Sequence, residues 1–517
     1  MRVTNKIMQN NTLYNINQNK VTQNQLQNQI STRKKITKPS DDPVIAIRAL
    51  RLRSNLNQVT QYYDRNIPDA QEWLNITEAS VNSTIDVIGG MIDECRRGSK
   101  SSLTTSDRST ILESLKQLRD EVYATGDSDY AGRTIFTGYR TDMKLSFQDS
   151  DPKDKLYSIT EQLTNKAVDT FTYVNTQDLS TINESNFDTI GTTEQSITSA
   201  KVYRIRLAYD NLESGTPLEI NTVDSYDSNG NPQLASPALF TPTTVSINSN
   251  PSPYAMVSDT KATGYDPDAV IFIPETGELV FAEGAYNTII GLSADTEIQV
   301  TYEKNQWING DLRPEHYFAC ESDGIKYNES YLTQNGRDNK QVIEYDVGFN
   351  QQIEINTTAD EIFTHAIGRT VDEMIGMLTE IDNIERVIGK LEKMQKDSSY
   401  SDTQQKTIQT ELDAANKAKA YLVETAQRRF EKGITDFQNH LDNANTALTA
   451  IGNRGLRLEL VENRLNAQKM SFEELTSENE DADLEDLAVQ LKSANLTYDA
   501  ALAATGKMLT TTLLNYI

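Results

Sequence analysis

The chain has 517 residues, enough for more than one domain and a sizeable core. Only 37% of the residues are hydrophobic and the mean hydropathy is −0.57, which points to an elongated molecule or one that hides apolar surface on assembly. The net charge of −26, with basic residues scattered, argues against nucleic acid or an anionic membrane as a partner.

The first thirty residues are rich in Asn and Gln. Their sparse apolar positions are Ile7, Tyr14 and Val21, seven apart, followed by Leu26 and Ile30. One stripe on so polar a helix buries little. A buried Leu or Ile is worth roughly 1.5–3 kcal/mol, while ordering each residue costs about 1–2 kcal/mol. Such a helix needs a partner. The segment has no apolar core of a cleavable secretory signal, and no run in the chain is long enough to span a bilayer. By these rules alone a cytosolic protein is expected.

Next comes "KITKPSDDPVIAIRAL". Pro39 disfavours helix at Lys38 and is expected to stop the first segment. Asp42 is a candidate N-cap, with Pro43 at the first helical position, where no N–H is needed. Asp41 and Asp42 then lie at the positive end of the helix dipole. Pro39, Ser40, Asp41, Asp42 and Pro43 thus read as an interdomain link. The short run Arg33, Lys34, Lys35 reads as a solvated loop.

After the link, Ile45, Ala49, Leu52, Leu56, Val59 and Tyr63 alternate spacings of four and three, as in a coiled-coil seam. Val81, Ile85, Ile88, Ile92 and Cys95 continue it, and Ile111, Leu115, Leu118 and Val122 form a third run. Residues 98–106 read as a turn, with Ser106 or Asp107 a candidate N-cap.

Between 146 and 356 the period changes to two. "VIFIPETGELVF" reads as two strands joined by a turn at Glu275, Thr276 and Gly277. The Asn229-Gly230 pair is a hairpin signal. The C-terminal third returns to helical spacing, in Ile367, Val371, Met374, Leu378 and Ile381, then in Ile434, Phe437, Leu441, Ala444, Leu448 and Ile451. "QKDSSYSDTQQ" between them reads as the loop of a helical hairpin. The last segment carries Leu484, Leu487, Leu491, Tyr498, Leu502 and Leu509 on one face, and its uncharged tip "MLTTTLLNYI" looks built for burial.

Cys95 and Cys320 are far apart and build neither a disulfide framework nor a CxxC site, so buried free thiols are expected. His316, His365 and His440 show no metal-binding spacing. No phosphate loop or nucleophile motif is present. Nothing argues for an enzyme, and no cofactor or metal is expected.

Four stretches carry a resemblance. They are "ISTRKKITKPSDDPVIAIRALRL" at 30–52, "AGRTIFTGYRT" at 131–141, "VIEYDVGFNQQIEINTTADEIF" at 342–363, and the terminal "DADLEDLAVQLKSANLTYDAALAATGKMLTTTLLNYI". In this order they resemble the flagellin superfamily and, within it, the hook–filament junction proteins. Pro43 after the paired acids and the "LLNYI" end depart from flagellins themselves. A flagellin-like filament subunit stays open as an alternative, and a hydrolase seated in the β-rich insert is a weaker one.

The resemblance implies a mainly α fold with an inserted β-rich region, in stacked, elongated domains. Segments 1–42 and 473–517 would pair in a coiled coil, 43–145 and 357–472 would form a helical rod, and 146–356 an outer domain. It implies a structural adaptor outside the cell on the flagellum, exported by the flagellar type III apparatus without a cleaved signal. Its partners would be flagellin, the other hook–filament junction protein, a ring of its own copies and, before export, a chaperone. The assembly interface is expected at Ile7, Tyr14, Val21, Leu26 and Ile30, and at Leu484, Leu491, Tyr498, Leu502, Leu509, Leu513, Leu514 and Ile517.

Overall fold

A computed structural model describes residues 5–510, except 101–102, 177–178, 262–263, 335 and 337–340. The chain is mainly α with a β-rich region inserted between long helices, as the periodicities predict. It forms two compact units. One holds the described parts of Met1–Gln71, Tyr345–Ile353 and Leu456–Ile517; the other holds Glu72–Glu344 and Glu354–Gly455.

The first unit contains α1 (Asn5–Thr32), α2 (Pro43–Gln61), the start of α3 (Ile67–Gly98), the end of α9 (Asp402–Glu480) and α10 (Leu484–Thr510). A π-helical turn, Tyr62–Asn66, joins α2 to α3. The hairpin of β14 (Glu344–Gly348) and β15 (Gln351–Glu354) lies largely in this unit. Asp42 caps α2 by accepting from the Val44 and Ile45 amides, and Pro43 opens the helix, as expected. The end of α1 differs from expectation. The helix stops at Thr32, not at Lys38, because Arg33 turns left-handed at φ +58°. Asp41 also differs. Its carboxylate accepts from the Thr37 and Lys38 amides, so it closes the link rather than facing the helix dipole.

The second unit pairs a helical bundle with a β sandwich. The bundle contains α3, α4 (Thr105–Gly126), α8 (His365–Lys396) and α9. The apolar stripes read from the sequence face its core, with Val81, Ile88, Cys95, Ile111, Leu115, Ile367, Val371, Met374 and Phe437 all buried. Two glycines permit close packing. A Cβ on Gly98 would meet the Phe430 ring at 2.6 Å, and one on Gly368 would meet the Tyr123 hydroxyl at 2.7 Å. Thr104, not Ser106 or Asp107, caps α4, and Asp107 completes a capping box from the third helical position.

One sheet has the order β4 (Val168–Asn175), β5 (Thr198–Arg206), β10 (Glu278–Phe281), β9 (Val270–Ile273), β8 (Thr243–Thr244). The other runs β13 (Ile325–Tyr327), β12 (Ala319–Ser322), β3 (Tyr157–Leu163), β11 (Ile298–Lys304), β6 (Ile220–Tyr226), β7 (Pro232–Leu234). Phe272, Leu279 and Phe281 of the first share a core with Tyr157, Ile159, Val300 and Tyr302 of the second. Both predicted turns form, with Gly277 at φ +59° and Gly230 at φ +83°. Leu179, Ile182 and Phe187, between β4 and β5, pack into the α8–α9 hairpin beside Ile384, Ile408 and Ala415. A short β1 (Asp129–Tyr130) and β2 (Arg133–Thr134) ladder opens the "AGRTIFTGYRT" stretch. That stretch meets the 342–363 stretch, with Phe136 edge-on to Phe363 at 4.9 Å and the Ala359 amide donating to the Phe136 carbonyl at 3.0 Å.

Candidate assembly site

In the first unit α1 and α10 pack along one another. Half-buried or buried positions on α1 fall at Thr12, Ile16, Asn19, Gln23, Leu26 and Ile30, with Gln29 half-buried beside the last. On α10 they fall at Leu487, Leu491, Ala494, Tyr498, Ala501 and Thr505, with Asn495 half-buried beside Ala494. Both sets step by four and three, the spacing of a two-stranded seam. Polar residues sit within it, and the Gln23 amide donates to Asn495 across the pair.

The expected interface residues divide on this seam. Leu26 is buried, and Ile30, Leu491 and Tyr498 are half-buried between the two helices. Ile7, Tyr14 and Val21 lie 51%, 64% and 55% exposed, outside it. Leu484 and Leu502 are likewise exposed. Leu509 lies on α10, but its side chain, with Leu513, Leu514 and Ile517, is outside the described residues. Sequence reading missed Ile16, since polar seam members interrupt the apolar count around it, whereas Leu487, read on the apolar face of the last segment, is buried. A second set of apolar side chains, with Leu13, Val489 and Leu496, therefore faces outward from a pair whose own seam is closed. Each would gain roughly 1.5–3 kcal/mol if a partner buried it.

Where α1 leaves for α2, α9 leaves for α10, and the two crossings are stitched together. The Lys35 amide donates to the Glu480 carbonyl at 2.7 Å, and the Ala482 amide to the Arg33 carbonyl at 3.0 Å. Lys34 Nζ lies 2.6 Å from Asp481 Oδ1 and 3.3 Å from Glu480 Oε2, and Arg53 reaches the same Glu480 oxygen. Lys35 Nζ donates to the Glu478 carbonyl. Asp483 then accepts from the Glu485 and Asp486 amides at the start of α10, mirroring Asp42 on α2. The run Arg33, Lys34, Lys35 is thus not a plain solvated loop. Its complement was present in the sequence as Glu478, Glu480 and Asp481, 443 or more residues away.

Burial pushes the Glu480 carboxyl up, but hydrogen bonds from Arg53 and Lys34 outweigh it and hold the group below its ordinary value. The Lys34 hydrogen bond holds Asp481 low as well. The Asp481 hydrogen bond raises the Lys34 ammonium. No group of three or more His, Cys, Asp or Glu among the described residues is placed to hold a metal ion. His365 is packed among Tyr209, Tyr317 and Phe318. Cys95 and Cys320 are free and buried, with burial pushing both thiols up to about 12. Among the described residues no helix is long and apolar enough to cross a membrane.

Residues 3–141 match the family model of the bacterial flagellin N-terminal helical region. Flagellar hook-associated protein 3 of Salmonella typhimurium is 27% identical over 143 residues, 28% of this chain and 45% of that protein. The Escherichia coli K12 protein of the same name is 29% identical over 115 residues, 22% of this chain and 36% of its own. The chain therefore spans less than half the length of the curated relatives it matches. A putative flagellar hook-associated protein from Vibrio parahaemolyticus superposes at a TM-score of 0.33 and 13% identity, covering 85% of this chain and all of that one. The flagellar junction protein FlgL of Legionella pneumophila gives 0.23 and 11%, covering 81% and 100%. Residues 3–141 are thus similar to the N-terminal helical region of bacterial flagellin, and part of the chain is similar to flagellar hook-associated protein 3.

Proposed function

We propose that this protein is a structural part of the bacterial flagellum, an adaptor that joins the hook to the flagellin filament. The observation that carries the reading is the amino-terminal match, which runs through α1, the crossing, α2, α3 and α4 into the "AGRTIFTGYRT" stretch. The outward apolar side chains of the α1–α10 pair support assembly by burial against neighbouring subunits. Those neighbours are further copies in a ring, flagellin on one side and the other hook–filament junction protein on the other. An export chaperone would cover the same side chains before secretion, which runs through the flagellar type III apparatus without a cleaved signal. Residues 39–43 and the crossing would set the direction of α1 and α10 against α2 and the end of α9.

Deletion of the gene tests this. The expected phenotype is intact hooks, no filaments and flagellin released into the medium. Filaments of normal length on the deletion strain would exclude the adaptor role.

A further inference from the structure

The five-stranded sheet buries one face against the six-stranded sheet, and its other face floors a cleft of about 1330 Å³. β4 lines it with Phe171 and Tyr173, and α6 (Pro253–Ser258) lines it with Tyr254. The Tyr254 ring lies edge-on to Phe171 at 5.2 Å and tilted against Tyr173 at 5.3 Å. Its hydroxyl donates to Glu278 Oε2 at 2.6 Å, which holds the ring in place. α8 lines the cleft with Met377 and Glu380.

The lining is acidic, with eight carboxylates against three guanidinium groups. Each guanidinium is already matched, Arg204 and Arg206 by Glu373 and Arg369 by Asp210. Arg204 shows how this sheet face holds a cation. Its guanidinium lies 4.2 Å from the Phe171 ring centre and 2.7 Å from Glu278 Oε1. Glu380 has no such match. Among the described residues no cation and no hydrogen-bond donor meets it. It keeps a solvent-exposed edge, yet the walls around it desolvate its carboxyl and push it up to about 7. Tyr173, on the same cleft, is within reach of its charge. An unmatched carboxylate in a cleft walled by aromatic rings is an arrangement that recognises a cation.

We propose that this cleft binds an organic cation of the amine class, with Glu380 as its counter-ion and the Tyr173 and Tyr254 rings as its aromatic wall. The excess of carboxylates repels phosphates and carboxylates and draws in a positive ligand. The recognised group is an aliphatic ammonium, carried by a free polyamine or by the lysine side chain of an extended basic peptide.

Calorimetric titration of the full chain at low ionic strength, with spermidine and separately with tetralysine, tests the proposal. Spermidine should bind saturably at one site, and triacetylated spermidine, which has lost its charges, should not. Binding of spermidine alone assigns a free polyamine, and its displacement by tetralysine assigns a basic peptide; either supports the proposal. With unchanged circular dichroism, Glu380→Gln should weaken binding about tenfold and Tyr173→Leu about threefold. Glu78→Gln removes the same charge from an exposed position on α3 and should leave binding unchanged, which separates the cleft from attraction to the −26 charge of the whole chain. The absence of saturable binding with both probes overturns the proposal. Binding that Glu380→Gln leaves intact overturns it equally.

Discussion

Replacing Glu480 with Ala removes the acid that both Lys34 and Arg53 share at the crossing. Taking one partner from a fully buried pair costs about 3–5 kcal/mol. That figure needs a discount here, because Lys34 and Arg53 are 40% and 58% exposed and regain water once released. Hydrogen bonds to a charged group are worth about 1.5–3 kcal/mol, so a loss of about 2 kcal/mol is expected. The loss is local, since the stitched segments are short. Hydrogen exchange reads it directly at the Lys35 and Ala482 amides, which bond across the crossing. A loss of about 2 kcal/mol accelerates their exchange roughly thirtyfold, while amides in β10 and α8 keep their rates. Equal protection in Glu480→Ala and wild type would refute the reasoning that these ion pairs hold the crossing.

The same amides should respond to acid. Glu480 and Asp481 sit below their ordinary values in the folded chain, so their contribution is complete above about pH 4.5 and is lost as pH falls through the folded values. Exchange corrected for intrinsic rates should be flat from neutral down to that point and then rise. Asp42→Ala removes the cap of α2 and should cost about 0.5–2 kcal/mol, seen as faster exchange in the first turn of that helix. Gly277→Ala forces a side chain into a left-handed turn, where its Cβ would meet the Tyr209 carbonyl oxygen at 1.9 Å. The left-handed conformation alone costs about 1–2 kcal/mol, so a lower thermal midpoint and no gain in helicity are expected. Leu26→Asp, on the closed seam, should separate α1 from α10 and lower far-ultraviolet helicity. Leu502→Asp, on the outward face, should keep the monomer's helicity and block its assembly into flagella. A Leu502→Asp protein that still assembles would remove Leu502 from the interface.

Helix, strand and cap were legible where one local signal sufficed. Asp42 with Pro43, the Gly277 turn and the α8 stripe each depend on a few adjacent residues, and each stands as the sequence implied. The α1 seam was misread because half of it is polar. Thr12, Asn19 and Gln23 occupy inward positions, so counting apolar residues selected Ile7, Tyr14 and Val21 on the outside instead. The end of α1 was placed too late, because the left-handed turn at Arg33 uses neither Gly nor Pro. The crossing was hidden for another reason. Its cations and acids lie at opposite ends of the chain, and no local pattern pairs Lys34 with Asp481.

What sets an adaptor apart from a filament subunit is its place on the flagellum. Antibody against this protein, applied to isolated flagella and viewed by electron microscopy, tests it most directly. The adaptor reading predicts a narrow band of label between hook and filament. Label along the whole filament would contradict it and make the chain a filament subunit, with Pro43 and the terminal "LLNYI" misjudged as marks of the junction.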